Sequence, residues 1–156
     1  MITGFHHFEL STQDAERAIA FYRDAFGMQV VADREVEPGG FVEHVTGVRG
    51  ARVRIVHMQG YGFNFELLQY REPGGEGRAR EPNHAGSAHL CFISDDLDAE
   101  CERLRALGVK VRSTGERPIA VVGGPNDGGK AVYLEDPDGN AVEIVQLVRP
   151  WPGGDN

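Results

Sequence analysis

Residues 5–27, FHHFELSTQDAERAIAFYRDAFG, and residues 88–108, AHLCFISDDLDAECERLRALG, carry the pattern that decides the fold. Each opens with a short β-prone run holding a histidine, His7 or His89, and reaches an aspartate, Asp14 or Asp96, suited to cap a helix. Ala15, Ala18, Ile19, Tyr22 and Phe26 then recur at helical spacing and stop at Gly27; Leu97, Cys101, Leu104 and Leu107 do the same and stop at Gly108. The two histidines and the two aspartates are both related by 82 positions, and the two glycines by 81. An internal repeat is the simplest source of such agreement.

Outward from each helix the runs are rich in β-branched and aromatic residues. MQVVADREV, ARVRIVHM and FNFELLQY follow the first helix; VKVRS, PIAVV, KAVYLED and AVEIVQL follow the second. Each half therefore reads βαβββ, with modules at 2–70 and 86–148, a Pro/Gly-rich linker at 71–85 and an unpatterned tail at 149–156. At 156 residues the whole is expected to be one domain, 1–156, of α+β class. Its 21 glycines fit many strands joined by tight turns.

Composition excludes several classes. A formal charge of −8 disfavours phosphate backbones, so no nucleic-acid partner is expected. No apolar run approaches the ~20 residues that cross a bilayer, so no membrane role is expected. MITGFHHFEL lacks the basic flank and apolar stretch of a secretory signal, which leaves a cytoplasmic protein as the expectation. Cys91 and Cys101 form no CxxC and are expected to be small buried hydrophobes.

Four repeat-related residues point to chemistry. His7 and His89 fall in the opening strands of the two modules, and Glu66 and Glu143 in the closing strands. Alternation puts Phe63, Phe65 and Leu67 on one side of their strand, and Asn64, Glu66 and Leu68 on the other; Val142, Ile144 and Gln146 face away from Glu143. A solvated glutamate has no reason to recur in step with a histidine. Two imidazoles and two carboxylates are a ligand set for a divalent metal ion, Ni, Co, Mn, Zn or Fe, with positions left for substrate oxygens. Oxygen activation at Fe usually uses two histidines and one carboxylate, so the additional Glu66 weighs against it.

The passages HFELSTQDAERAIAFYRDAFGMQV (7–30), HLCFISDDLDAECERLRALGVKV (89–111) and YLEDPDGNAVEIVQL (133–147) resemble the vicinal oxygen chelate superfamily, which contains glyoxalases, bleomycin-resistance proteins and extradiol dioxygenases. The resemblance covers about residues 2–148, and the DPDGN turn ahead of a glutamate-bearing strand is its most specific part. It implies paired βαβββ modules in a cupped, eight-stranded mixed sheet around a divalent ion, with His7, Glu66, His89 and Glu143 at the ligand positions. Glutamate at position 66 resembles glyoxalase I. The implied activity is that of a lactoylglutathione lyase-like metalloenzyme, a lyase or isomerase that moves a proton beside a chelated carbonyl of a small α-oxo or thioester substrate. Glu143 is then the base and Glu66 its pseudo-symmetric counterpart. Glyoxalase I usually carries an arginine soon after the first ligand; here that stretch is FELST, which does not imply glutathione. Alternatives on the same scaffold are a non-catalytic ligand-binding or resistance protein, an acyl-CoA epimerase and a ring-cleaving dioxygenase. Related proteins pair through sheet edges, so a homodimer is expected.

Other residues read more plainly. His6 alternates with His7 and is expected to be structural or exposed; His44, His57 and His84 lack repeat partners and are not expected to be ligands. Glu43 is an accessory-base candidate, and Arg52 and Arg54 form a cationic strand face suited to a carboxylate or thioester substrate. GGPNDGGK lacks the spacing of a phosphate loop.

Overall fold

In the computed structural model, which describes residues 1–77 and 81–150, the first quoted stretch folds as strand β1 (Phe8–Ser11) and helix α1 (Ala15–Phe26). The Arg17 N–H donates to Asp14 Oδ1 (3.1 Å), which satisfies one of the donors that a helix start leaves free. Gly27 closes the helix at φ 67°, where a side chain would be strained. The apolar stripe is buried, and Tyr22 meets Phe65 edge-on with ring centroids 4.7 Å apart.

The chain divides into two compact units, residues 1–78 and 79–156. In the first, β1 is followed by β2 (Gln29–Val36), β3 (Arg52–Gly60) and β4 (Phe63–Glu72) in the order β1-β4-β3-β2, with β1 parallel to β4 and the remaining pairs antiparallel. Val56, Met58, Phe65 and Leu67 pack on the face that α1 covers. The opposite face holds a second cluster of Val53, Ile55 and Leu68, capped by Val42 from a short helix α2 (Phe41–Thr46). That helix breaks the expected βαβββ string. Six residues between Gly40 and the left-handed Gly47 are too few to display a helical period.

Charged residues of β2 settle the fate of the expected cationic face. Arg54 donates to both carboxylate oxygens of Asp33 (2.9 and 2.6 Å) and to Glu16 of α1 (2.6 Å), while Arg52 pairs with Glu37 (3.1 Å) and Glu72 (3.6 Å). Neither arginine faces a ligand with its charge free, because acidic residues of the same unit lie against both. The hydrogen bonds from Arg54 hold the Asp33 carboxyl below the usual carboxylate range. A carboxyl lowered by folding adds stability above its unfolded value of about 3.9, and that stability is lost as pH falls through the folded value. Arg54→Met should therefore move the acid-unfolding midpoint, followed by circular dichroism, to higher pH.

The second unit contains β5 (Leu90–Ile93), α3 (Leu97–Ala106), β6 (Lys110–Val111), β7 (Ile119–Ala120), β8 (Lys130–Glu135) and β9 (Ala141–Gln146). Its order is β5-β9-β8-β6, with β5 parallel to β9 and β7 also paired to β8. Among the described residues nine strands thus stand where eight were expected. β6 and β7 occupy successive stretches of one edge of β8, separated by a 3₁₀ turn at Thr114–Glu116, so together they fill one strand's place. Asp96 caps α3, accepting the Ala99 N–H at 3.1 Å. Leu97, Cys101 and Leu104 are buried, but Leu107 is 53% exposed because the helix stops at Ala106.

The DPDGN segment is a built turn. Asp136, 6% exposed, accepts the N–H groups of Asp138 (3.0 Å) and Asn140 (2.7 Å) on Oδ1 and the Asn140 amide (2.9 Å) on Oδ2, while Gly139 takes φ 83°. The turn fixes the β8–β9 register, in which Tyr133 pairs with Glu143. Residues 78–80 of the expected linker and 151–156 of the expected tail lie outside the described residues. No helix of the described residues is long and apolar enough to cross a membrane.

Candidate active site

Strand register gathers the chemistry of the first unit on the face opposite α1. Glu9 of β1 and His57 of β3 are both partners of Glu66 in the ladder, so the three occupy one row across the sheet. His7 sits one residue before β1 rather than inside it, two positions from Glu9 and on the same face. Its Nε2 is 3.6 Å from Glu66 Oε2, and His57 Nε2 is 3.1 Å from Glu66 Oε1. Each oxygen of this carboxylate, whose side chain is 13% exposed, therefore meets an imidazole. Burial pushes the Glu9 carboxyl up, against the lowering effect of the Ser11 hydroxyl.

The second unit repeats the row with different residues. Cys91 of β5 and Tyr133 of β8 flank Glu143 of β9, and His89 again lies one residue before its strand. His89 Nε2 is 3.0 Å from Glu143 Oε2 and 3.5 Å from the Tyr133 hydroxyl. Cys91 is exposed as a residue, contrary to expectation, because its register places it beside Glu143 on the face that α3 does not cover. Desolvation of the thiol, with the Glu143 charge adding to it, still pushes its pKa up to about 12. A thiolate role at neutral pH is thereby disfavoured.

Sequence reasoning passed over His57 because its repeat counterpart is Tyr133, a different residue type. The signal lay in the hairpin. Tyr61 (φ 54°) and Gly62 (φ 70°) form a two-residue turn between β3 and β4, and His57 and Glu66 are equidistant from it. His6 is exposed and touches His7, Nδ1 to Nδ1 at 2.7 Å. Glu43 is occupied in accepting the Gly39 N–H (2.9 Å), and His44 and His84 are exposed. Beyond the His57–Glu66 row, a cleft of about 420 Å³ is lined by Gln29, Val31, Gln59, Gly60, Gly62, Phe63 and Asn64.

Among the described residues no three His, Cys, Asp or Glu side chains are gathered to hold an ion by themselves. The pairs nonetheless suit one. Adjacent ligands at ~2.0–2.2 Å from an octahedral ion lie ~3 Å apart, and the His–Glu contacts of the two units span 3.0–3.6 Å. Neutral imidazole and carboxylate are also the donor types that such divalent ions accept.

Residues 4–144 match the model of the Glyoxalase/Bleomycin resistance protein/Dioxygenase superfamily. A lactoylglutathione lyase of Pseudomonas aeruginosa is 30% identical over 152 residues, covering 91% of this chain and 81% of the relative. An ethylmalonyl-CoA/methylmalonyl-CoA epimerase of Cereibacter sphaeroides is 26% identical, covering 94% of this chain and all of the relative. Among solved structures, the fosfomycin resistance protein of Listeria monocytogenes, complexed with Mn(II) and sulfate, superposes with a TM-score of 0.60 at 17% identity, over 94% of this chain and 93% of that one.

Proposed function

The chain belongs to the Glyoxalase/Bleomycin resistance protein/Dioxygenase superfamily, and from that premise we propose that it is a lyase or isomerase of the glyoxalase I type. It moves a proton at the carbon beside a carbonyl of a small α-oxo or thioester substrate. The carrying observation is the repeated pairing of one imidazole nitrogen with one glutamate oxygen, His7 with Glu66 and His89 with Glu143, on the face of each sheet that its main helix does not cover.

His7, Glu66, His89 and Glu143 would hold a divalent ion, Ni, Co, Mn, Zn or Fe, within one chain or across the two chains of a homodimer. A bound ion supplies Lewis acidity to the carbonyl oxygen, which acidifies the neighbouring C–H. Glu143 then takes that proton on a carboxylate oxygen and returns it to the adjacent carbon, or to the same carbon from the other side. The proton count closes within the site, and no oxidant or covalent nucleophile is needed. His89, 3.0 Å from Glu143 Oε2, orients the carboxylate, and the Tyr133 hydroxyl abuts His89. Glu66, between His7 and His57, is the counterpart of Glu143 and is held by two imidazoles rather than one.

The test is proton exchange in D₂O, followed by NMR, on the hemithioacetal of methylglyoxal with glutathione and on acyl-CoA thioesters, with the protein loaded in turn with Ni²⁺, Co²⁺, Mn²⁺ and Zn²⁺. Exchange that disappears on chelation is expected. A metal-loaded protein that exchanges no proton in any of these substrates would overturn the reading in favour of a ligand-binding protein.

A further inference from the structure

We propose that Arg34, held over the ring of Phe41, binds a carboxylate at the far end of the substrate from its reacting carbonyl. This deepens the proton-transfer reading and rests on it.

The first observation is which way Arg34 points. In the β2–β3 ladder Ala32 pairs with His57 and Arg34 with Ile55, so Arg34 projects from the same sheet face as His57 and Glu66, one pleat repeat further along. Its sequence neighbours Asp33 and Glu35 project from the opposite face, where they neutralise Arg54 and Arg71 (2.6 and 2.8 Å). Strand alternation thus carries the nearest carboxylates away from Arg34.

The second observation is what Arg34 touches. The other three arginines in the strands of this sheet, Arg52, Arg54 and Arg71, are each paired with a carboxylate. Among the described residues Arg34 has no ion pair; its guanidinium carbon stands 5.1 Å from the centroid of Phe41. An aromatic face attracts the cation but takes up none of its five N–H donors. The platform is fixed as well. Val42, next to Phe41, is packed among Val53, Ile55 and Leu68, which seats α2 on this face of the sheet. The guanidinium held there keeps its planar fork of N–H donors, which a carboxylate accepts in two parallel hydrogen bonds.

Arg34 and Glu66 stand two strands and one pleat repeat apart, about 10 Å across and about 7 Å along the sheet. After both side chains have reached inward, a ligand with roughly two to four carbons between its carbonyl and its carboxylate can touch both. The expected substrate class is therefore an α-oxo compound or thioester that ends in a carboxylate.

Two probes share a chelating end and differ in the far one: 2-oxoglutarate ends in a carboxylate, 2-oxobutyrate in a methyl group. Calorimetry on the full Mn²⁺-loaded chain should show 2-oxoglutarate binding at least about 10-fold tighter, as charge-assisted hydrogen bonds imply. Arg34→Gln should abolish that preference while leaving the 2-oxobutyrate affinity unchanged, which also shows that the variant is folded, and Phe41→Leu should reduce it in part. Equal affinity of the wild-type protein for both probes, or a preference that survives Arg34→Gln, would overturn the assignment of Arg34 alone. Failure of 2-oxobutyrate to bind in a metal-dependent way would instead remove the proton-transfer reading, and the role of Arg34 with it.

Discussion

Exchanging Glu143 for Gln should slow metal-dependent proton exchange by about 100- to 10,000-fold, the usual contribution of a positioned base. The substitution keeps the volume and the hydrogen-bonding length of the side chain but removes both its ability to carry the proton and its charge toward the ion, so the rates are compared at saturating metal. Ile144 and Val142, buried on the opposite side of β9, hold the strand in place, so the melting temperature of Glu143→Gln should stay within a few degrees of the parent. Glu66→Gln is the matched control. Because Glu66 is faced by two imidazoles, His7 and His57, while Glu143 is faced by one, His89, and by the weakly donating Cys91 thiol, Glu143 is the freer of the two to receive a proton. A larger rate loss in Glu66→Gln than in Glu143→Gln would exchange their roles. A loss below about 10-fold in both would leave the chain without a carboxylate base.

Removing either imidazole of the proposed ligand set should be nearly as severe, with metal affinity as the readout. His7→Ala and His89→Ala should each weaken Mn²⁺ or Zn²⁺ binding, measured by competition with a chromophoric chelator, by more than the ~10–100-fold that follows loss of a group merely touching a ligand. His57→Ala should fall within that lower range, because His57 Nε2 contacts Glu66 Oε1 at 3.1 Å and is assigned the role of orienting it. His84→Ala should change nothing, since His84 is exposed in a turn outside the strands. A His57 effect equal to that of His7 would make His57 a ligand in its own right.

Much of the fold was legible because it is written in local chemistry. Asp14 and Asp96 are separated from their helix donors by three residues, and Gly27 and Gly108 sit where a left-handed backbone is required, so capping can be read without tertiary knowledge. The repeat was legible for the same reason. What escaped was set by packing. α2 is held by Val42 dipping into a cluster of residues from two strands, and nothing in FVEHVT alone announces it. The break that divides β6 from β7 depends on which residues of β8 remain unpaired, and Leu107 is exposed only because α3 ends one residue earlier than its apolar spacing implies. At the site, Glu66 and Glu143 were found through symmetry, and His57 was lost through the same preference, because its counterpart is a tyrosine. Arg34 was invisible in sequence: its significance comes from the absence of a carboxylate partner, which only the alternation of β2 against β3 reveals.

The proposal that histidines and glutamates of both units share a single ion is tested most directly by Mn²⁺ titration of the metal-free protein, coupled to pulsed electron paramagnetic resonance of the loaded form. One ion per chain, with two imidazole nitrogens coupled to it and one nitrogen lost in each of His7→Ala and His89→Ala, is the expected result. Two ions per chain with one nitrogen each, or an ion whose nitrogen couplings survive both substitutions, would contradict it.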